Sequence, residues 1–500
     1  MSALADLRLV AGLPWAAALA ILVLPRRAAR AVALAATAIV LAAVLAGSVG
    51  APAIDVPWIG RGVALRLATG PLSLIGLVVT AVAGLLAVIE EETRRRARLA
   101  GLLALQGAVL LGLLAHDVLL LAAAWALTPA LVLGLLAARA SEAEGRIAGR
   151  ALALILSVGA GAVLLAGAGL TVAYRAASSG TWSAGLAELA TVRVPETTAA
   201  GLAAGLALAG ALALGLWPLH AGLIEGTAVA SRGAARLLAG PVRWLGLDAL
   251  IRLWAPLAPL GAAVTAPWLA GIATIGAVYA GLSARAEAEP QRRVARIALV
   301  GWSLAAVGVA TLAHEGLCGA LLLAAIAGLG QPGLVRGGPL VRAVFGLAGA
   351  LAGALVVIAA LRPADLTLGA LGPWCACGAA LALALAGSAM TRATGAKEHV
   401  AGDMVKETGS DGHVLTRWST AVLALVLAIA VARPGLVLGR LTEAGEAWVG
   451  ASALQRCLAV VEPRIVPVLL PDVVPTRCDS PLAGLRAAQA SAREGRPDGG

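Results

Sequence analysis

His220, Glu225, Arg243, Asp248 and Arg252 stand in or beside apolar runs in one stretch of the chain. An ionisable group inside an apolar run is costly and marks either an ion or proton pathway or a fixed charge pair. Proton relay needs groups whose pKa can cross working pH, and burial tunes Lys, Glu and His into that range. Arg stays charged, so Arg243 cannot carry a proton on and off. Leu216-Trp217-Pro218-Leu219-His220 closes an apolar run and reads as a helix broken within the membrane, with small residues from Gly226 to Ala234 following. His220 is then either a proton-path residue or a histidine that bonds backbone freed by Pro218. Glu225 is expected to cap a helix or pair with Arg232 or Arg236, and Asp248 with Arg243 to form a buried pair or face a neighbouring subunit. Asp117 reads as a span-end cap, and Glu90, Glu91 and Glu92 beside Arg94 to Arg98 as a solvated charge run. Gly159, Gly161, Gly167 and Gly169 suggest close helix packing. Cys375-Ala-Cys377 has no His or carboxylate beside it and reads as packing, so no metal site is expected. No nucleophile triad and no phosphate-binding loop appears.

These residues need membrane helices to hold them. The chain has 500 residues, 60% hydrophobic and 13% charged, against roughly 45–50% and 25% in soluble domains. Its mean hydropathy is +0.92. That excludes a soluble globular protein, a disordered chain and a disulfide scaffold. Apolar runs fall at about 9–25, 31–49, 71–89, 99–115, 118–138, 151–173, 198–219, 234–254, 259–284, 295–313, 316–335, 340–361, 367–389 and 417–432. The reading is an all-α polytopic membrane protein with about fourteen transmembrane helices; continuous runs argue against a barrel.

The net charge of +11 is carried almost wholly by Arg, since Lys occurs only at Lys397 and Lys406. With 1 Phe, 2 Tyr and 3 Met, this composition suggests a GC-rich bacterial genome. Nucleic-acid binding is rejected, because the Arg residues sit in short loops between spans. One alternate set of loops holds roughly 22 basic residues, from Arg26 to Arg417, and the other roughly 8, from Arg8 to Arg433. The positive-inside rule then places both termini outside the cytoplasm. The first span lacks a basic leader and reads as a retained helix.

Pro218, His220, Leu223 and Glu225, followed by a span ending Leu250-Ile251-Arg252-Leu253, resemble the antiporter-like subunits of respiratory complex I and of Mrp-type cation/proton antiporters. Further matches run in order along the chain: Gly70-Pro71-Leu72-Ser73, Asp117 to Leu121 with Leu127-Thr128-Pro129, Gly180-Thr181-Trp182, Arg292-Arg293-Val294 and Ala432-Arg433-Pro434. The likeness covers about residues 1–440. It implies an antiporter-like fold with inverted repeats and a broken helix.

The departures carry as much weight. The family's buried Glu of the fifth span aligns with Ala126, the Lys of the broken seventh helix with Ala213, the Lys of the eighth with Trp244, and the His of the eleventh with Ala327. The proton-path candidates left are His220, Arg243, Asp248 and Glu225. The expectation is an antiporter-like membrane-arm subunit of a complex I-like NADH/quinone oxidoreductase, degenerate and structural instead of proton-pumping. The alternative is the membrane subunit of an Mrp-type antiporter, a membrane-bound hydrogenase or an inorganic-carbon uptake complex; a standalone transporter ranks last. No cofactor is expected, and no flavin, iron–sulfur cluster or quinone bound by this chain alone. Expected partners are sister membrane subunits and lipid, in a bacterial inner membrane.

Residues 1–440 are read as the antiporter-like domain, 441–481 as an extracytoplasmic extension and 482–500 as a disordered tail. Pro463, Pro467, Pro471 and Pro475 rule out a membrane helix there. Cys457 and Cys478 flank this segment, as a disulfide or as two free thiols.

Overall fold

The computed structural model describes residues 7–388, apart from 48–52, 58–63, 92–94, 138–142, 179, 193, 195, 337–338, 362–367, 369–370 and 387. The fourteenth predicted span, the 441–481 extension, the 482–500 tail, Cys457 and Cys478 lie outside the described residues.

The chain begins with α1 (Leu7–Val23) and α2 (Arg26–Gly47). An antiparallel hairpin follows, β1 (Ile54–Pro57) on β2 (Ala64–Leu67), with Ile54 opposite Leu67. Next come α3 (Pro71–Glu90), α4 (Arg96–Leu114), α5 (Val118–Ala137), α6 (Ala143–Ala177) and a short α7 (Leu186–Leu189). The middle of the chain holds α8 (Glu196–Leu214), α9 (Ala221–Val229), α10 (Arg232–Ala239) and α11 (Pro241–Ala249). A π-helical turn, Leu250–Trp254, leads into α12 (Ala255–Leu257). Then come α13 (Pro259–Ala286), α14 (Pro290–Ala310), α15 (His314–Arg336), α16 (Pro339–Ala360) and α17 (Gly372–Ala386). Among the described residues, 7 helices are long and apolar enough to cross a membrane by length and composition, and shorter apolar helices accompany them. Each predicted span up to 367–389 coincides with one of these helices or, at 234–254, with α10, α11 and the π turn.

Local sequence explains the ends. Proline opens α3, α11, α13 and α14, where its missing N–H costs nothing. Asp117 Oδ1 accepts from the amides of Leu119 at 2.9 Å and Leu120 at 3.2 Å, so it caps α5 as expected. Ser231 Oγ caps α10 by accepting from the Ala234 amide at 3.3 Å.

The seventh predicted span ends earlier than expected, at Leu214. The Leu216 amide donates to Ala211 O at 2.9 Å and the Gly215 amide to Leu212 O at 3.1 Å, with Gly215 at φ +66°. This is a Schellman motif, and it requires a residue that tolerates the left-handed conformation. The helix has therefore stopped before Pro218, which follows a cis Trp217–Pro218 peptide. His220 then starts α9.

Helix α11 lies at the centre. It packs against α3, α4, α8, α10, α14 and α15, and all its residues are buried. Its approach to α8 is set by two glycines. A Cβ on Gly246 would lie 2.7 Å from Gly210 O, and one on Gly210 3.0 Å from Gly246 O. Small residues let backbones close in this way where lipid removes the hydrophobic drive between helices.

Candidate functional site

The polar groups of the bundle fall into three sets: two at opposite ends and one between them.

The first end is marked by the hairpin. Arg66 on β2 pairs with Asp55 (3.2 Å) and Glu188 (2.8 Å). The hairpin also joins the α4–α5 turn, where the His116 amide donates to Arg66 O at 2.8 Å. Arg252, in the π turn, binds Asp248 with two nitrogens at 2.7 and 2.5 Å. Its remaining donors reach Ala115 O (2.7 Å) and Gly112 O (2.8 Å), closing the C-terminus of α4. A cation at a helix C-terminus satisfies orphan carbonyls and complements the helix dipole. In the α4–α5 turn, burial and then the Arg252 charge hold His116 down at about 4. Burial pushes the neighbouring Asp117 carboxyl up, against the opposing pull of the amides it caps.

The other end is rich in arginine. Arg236, 2% exposed, holds both oxygens of Glu90 at 2.9 and 2.5 Å and donates to Leu329 O at 3.1 Å. Glu91, 2% exposed, accepts from Ser231 Oγ at 2.6 Å and lies 3.8 Å from Arg98. Glu90 and Glu91 are therefore not a solvated run; the start of α10 folds over them. Glu225 pairs with Arg292 at 2.9 Å, while Arg236, one of its expected partners, is held by Glu90. Arg96 donates to Leu24 O at 2.8 Å beyond the end of α1, and Arg293 to Glu287 O beyond the end of α13.

Between the ends stands Arg243. It is 0% exposed, and no nitrogen of its guanidinium has a partner among the described residues. The expected Asp248–Arg243 pair is not formed, because Asp248 faces the end of α4 with Arg252. At 1.5 Å per residue, roughly 13 Å of helix separates Arg243 from Arg252, and the break at Gly240 separates it from Arg232 on α10. His220 lies within electrostatic reach of Arg243 and Arg296. Its ring stands edge-on to Tyr279 with centroids 5.1 Å apart, and its Nδ1 has no partner. The Pro218 carbonyl acts on the same ring.

Three of the four positions that the resemblance aligns with titratable residues lie in packed surroundings. Trp244 stands edge-on to Trp302, with centroids 6.0 Å apart, and fits where Gly76 has no side chain: a Cβ there would lie 2.1 Å from the indole nitrogen. Trp302 in turn donates to Ala239 O at 3.0 Å, at the end of α10. Ala213 packs at the Gly246 crossing and Ala327 against Gly301. Ala126 departs from expectation: it faces outward on α5, while Ala124, Trp125 and Thr128 face in. The interior face of α5 carries no titratable group in either case.

Sequence reasoning missed several buried polar groups. Gln106, 1% exposed with its amide nitrogen unpartnered, fits against Gly84. A side-chain amide in the 99–115 run was a legible signal. Thr80 and Ser303 also bury unpartnered hydroxyls. Among the described residues, no three His, Cys, Asp or Glu gather as a metal site, and Cys375 is buried while Cys377 is exposed.

No protein-family model matches the chain. It is 31% identical over 137 residues to NAD(P)H-quinone oxidoreductase chain 4-3 of Nostoc sp., covering 27% of this chain and 24% of that one. It is 27% identical over 288 residues to NADH-quinone oxidoreductase subunit M of Escherichia coli K12, covering 56% of this chain and 57% of that one. The chain thus spans between a quarter and somewhat over half the length of these curated relatives. Among solved structures, a chain of respiratory complex I from Thermus thermophilus with bound NADH superposes with a TM-score of 0.74 at 22% identity, over 89% of this chain and 100% of that one. A chain of the Mrp complex from Dietzia sp. DQ12-45-1b gives 0.72 at 17% identity, over 99% of this chain and 60% of that one. The chain is a multi-pass membrane protein with the antiporter-like fold that these complexes share.

Proposed function

We propose that the chain is an antiporter-like membrane-arm subunit of a complex I-like NADH/quinone oxidoreductase, serving as structure and not as a proton pump. It binds no cofactor of its own and docks against sister membrane subunits and lipid. The observation that carries this reading is Trp244, wedged between Gly76 and Trp302 at the position where the resemblance expects a lysine. A proton relay needs neighbouring groups that exchange charge. Here the carboxylates Glu90, Glu225 and Asp248 are each held by an arginine near the ends. The centre holds a permanent cation, Arg243, and one imidazole.

The topology belongs to the same proposal. The arginine-rich end is cytoplasmic by the positive-inside rule, the hairpin end faces the other side of a bacterial inner membrane, and fourteen spans leave both termini there. Residues 1–440 form the membrane domain, with an extracytoplasmic extension at 441–481.

The test uses the assembled complex in proteoliposomes. With His220→Leu combined with Glu225→Gln, protons moved per electron should stay at the parent's value. A collapse of proton movement with electron transfer intact would sink the scaffold reading. Mrp-type cation/proton exchange is the second reading, favoured by the near-complete cover of this chain in that superposition. Sodium-dependent proton movement without an electron donor would select it.

A further inference from the structure

Arg243 has five N–H donors, no exposure and no acceptor among the described residues. Burial of a lone cation in apolar surroundings is strongly unfavourable, and such groups ordinarily pair or discharge. Arginine does not discharge in proteins. Among the described residues no carboxylate supplies the compensating charge: Asp248 is committed to Arg252, Glu90 to Arg236 and Glu225 to Arg292.

We propose that Arg243 holds a small monovalent inorganic anion, of halide size, buried at mid-bundle beside the N-terminus of α11. Three features converge there. Arg243 lies in the first turn of α11, which opens at Gly240 and Pro241. A side chain in that turn leans back toward the helix N-terminus. The positive end of the nine-residue helix therefore adds to the guanidinium charge. The anion is small because Arg243 is fully buried and every residue of α11 around it is buried too. Neutral water offers acceptors to the guanidinium but leaves its charge uncompensated. A static cation–anion pair is independent of the scaffold proposal, since it requires neither the presence nor the absence of proton movement.

The test uses the full chain in its purified complex, with halides as probes. At matched ionic strength, exchange of gluconate for chloride or bromide should raise the Tm saturably, by about 2 °C or more. Arg243→Met, which removes the charge and keeps an unbranched side chain, should abolish that rise. Crystals of the unaltered complex grown in bromide should show anomalous density at hydrogen-bond distance from the guanidinium, which decides the matter even where Arg243→Met does not assemble. Equal Tm in gluconate and chloride, a halide effect that survives in Arg243→Met, or water alone on the guanidinium would each overturn the proposal. Proton-flux measurements bear on the scaffold reading alone, so the two can fail separately.

Discussion

Arg236, at the arginine-rich end, and Arg243, between the ends, sit on adjoining helices and are buried almost equally, at 2% and 0% exposure. Arg236 has both oxygens of Glu90 and the Leu329 carbonyl; Arg243 has nothing from the described chain. The difference separates two uses of charge. At the ends, arginines close helix termini and lock carboxylates across long sequence distances, as Arg252 does for α4 and Arg292 for Glu225. In the middle, packing predominates, and Arg243 has no partner among the described residues.

The comparison breaks most sharply at Glu90. Glu90→Ala strips a buried guanidinium of its carboxylate, a change that costs about 3–5 kcal/mol when a buried pair is broken. Thermal unfolding in detergent should register it as a large loss of Tm, or as failure to assemble. If Glu90→Ala is tolerated without loss, the paired end is no more dependent on its charges than the middle.

An intermediate effect is expected at the hairpin end from His116. Its pKa in the fold is about 4, below the ordinary value of 6.5. The unfolded chain therefore binds the extra proton first as pH falls, and stability rises with pH through that interval. This contribution is complete above about pH 6.5, is lost progressively down to about pH 4, and changes no further below. Tm measured across pH 4 to 7.5 should fall on the acid side, and His116→Gln should flatten part of the fall. An unchanged profile in that variant would remove His116 from the account.

The smallest effect is expected at Glu225. Its pair with Arg292 leaves both side chains well exposed, at 40% and 33%. Such pairs are worth roughly 0–1 kcal/mol. Glu225→Gln should barely move the Tm, and less so in high salt. A loss comparable with that of Glu90→Ala would show that exposure, and not pairing, had been misjudged.

Much of the fold was legible before any coordinates. The break between α8 and α9 follows from Gly215 and Pro218, because a left-handed cap and a proline act locally. The Asp117 cap is equally local. Ala126 shows where legibility ends. Helix α5 is apolar on every face, so periodicity carries no sign of which side meets protein and which meets lipid. Its orientation came from packing, and put Trp125 inward instead. The partners of Glu90 and Glu225 lie on helices far along the chain, and nothing in their own neighbourhoods announces them.

By itself the sequence determined the membrane class, the positions of the spans among the described residues and the break near Pro218. These depend on run length, local backbone preference and residue chemistry, which are properties of neighbours along the chain. Only the tertiary structure decided which arginine meets which carboxylate, which face of α5 turns inward, and that Arg243 is left alone. Those outcomes depend on how helices distant in sequence approach one another, and in an apolar bundle that approach is set by steric fit at positions such as Gly210 and Gly246, whose consequence is visible only when both helices are in place.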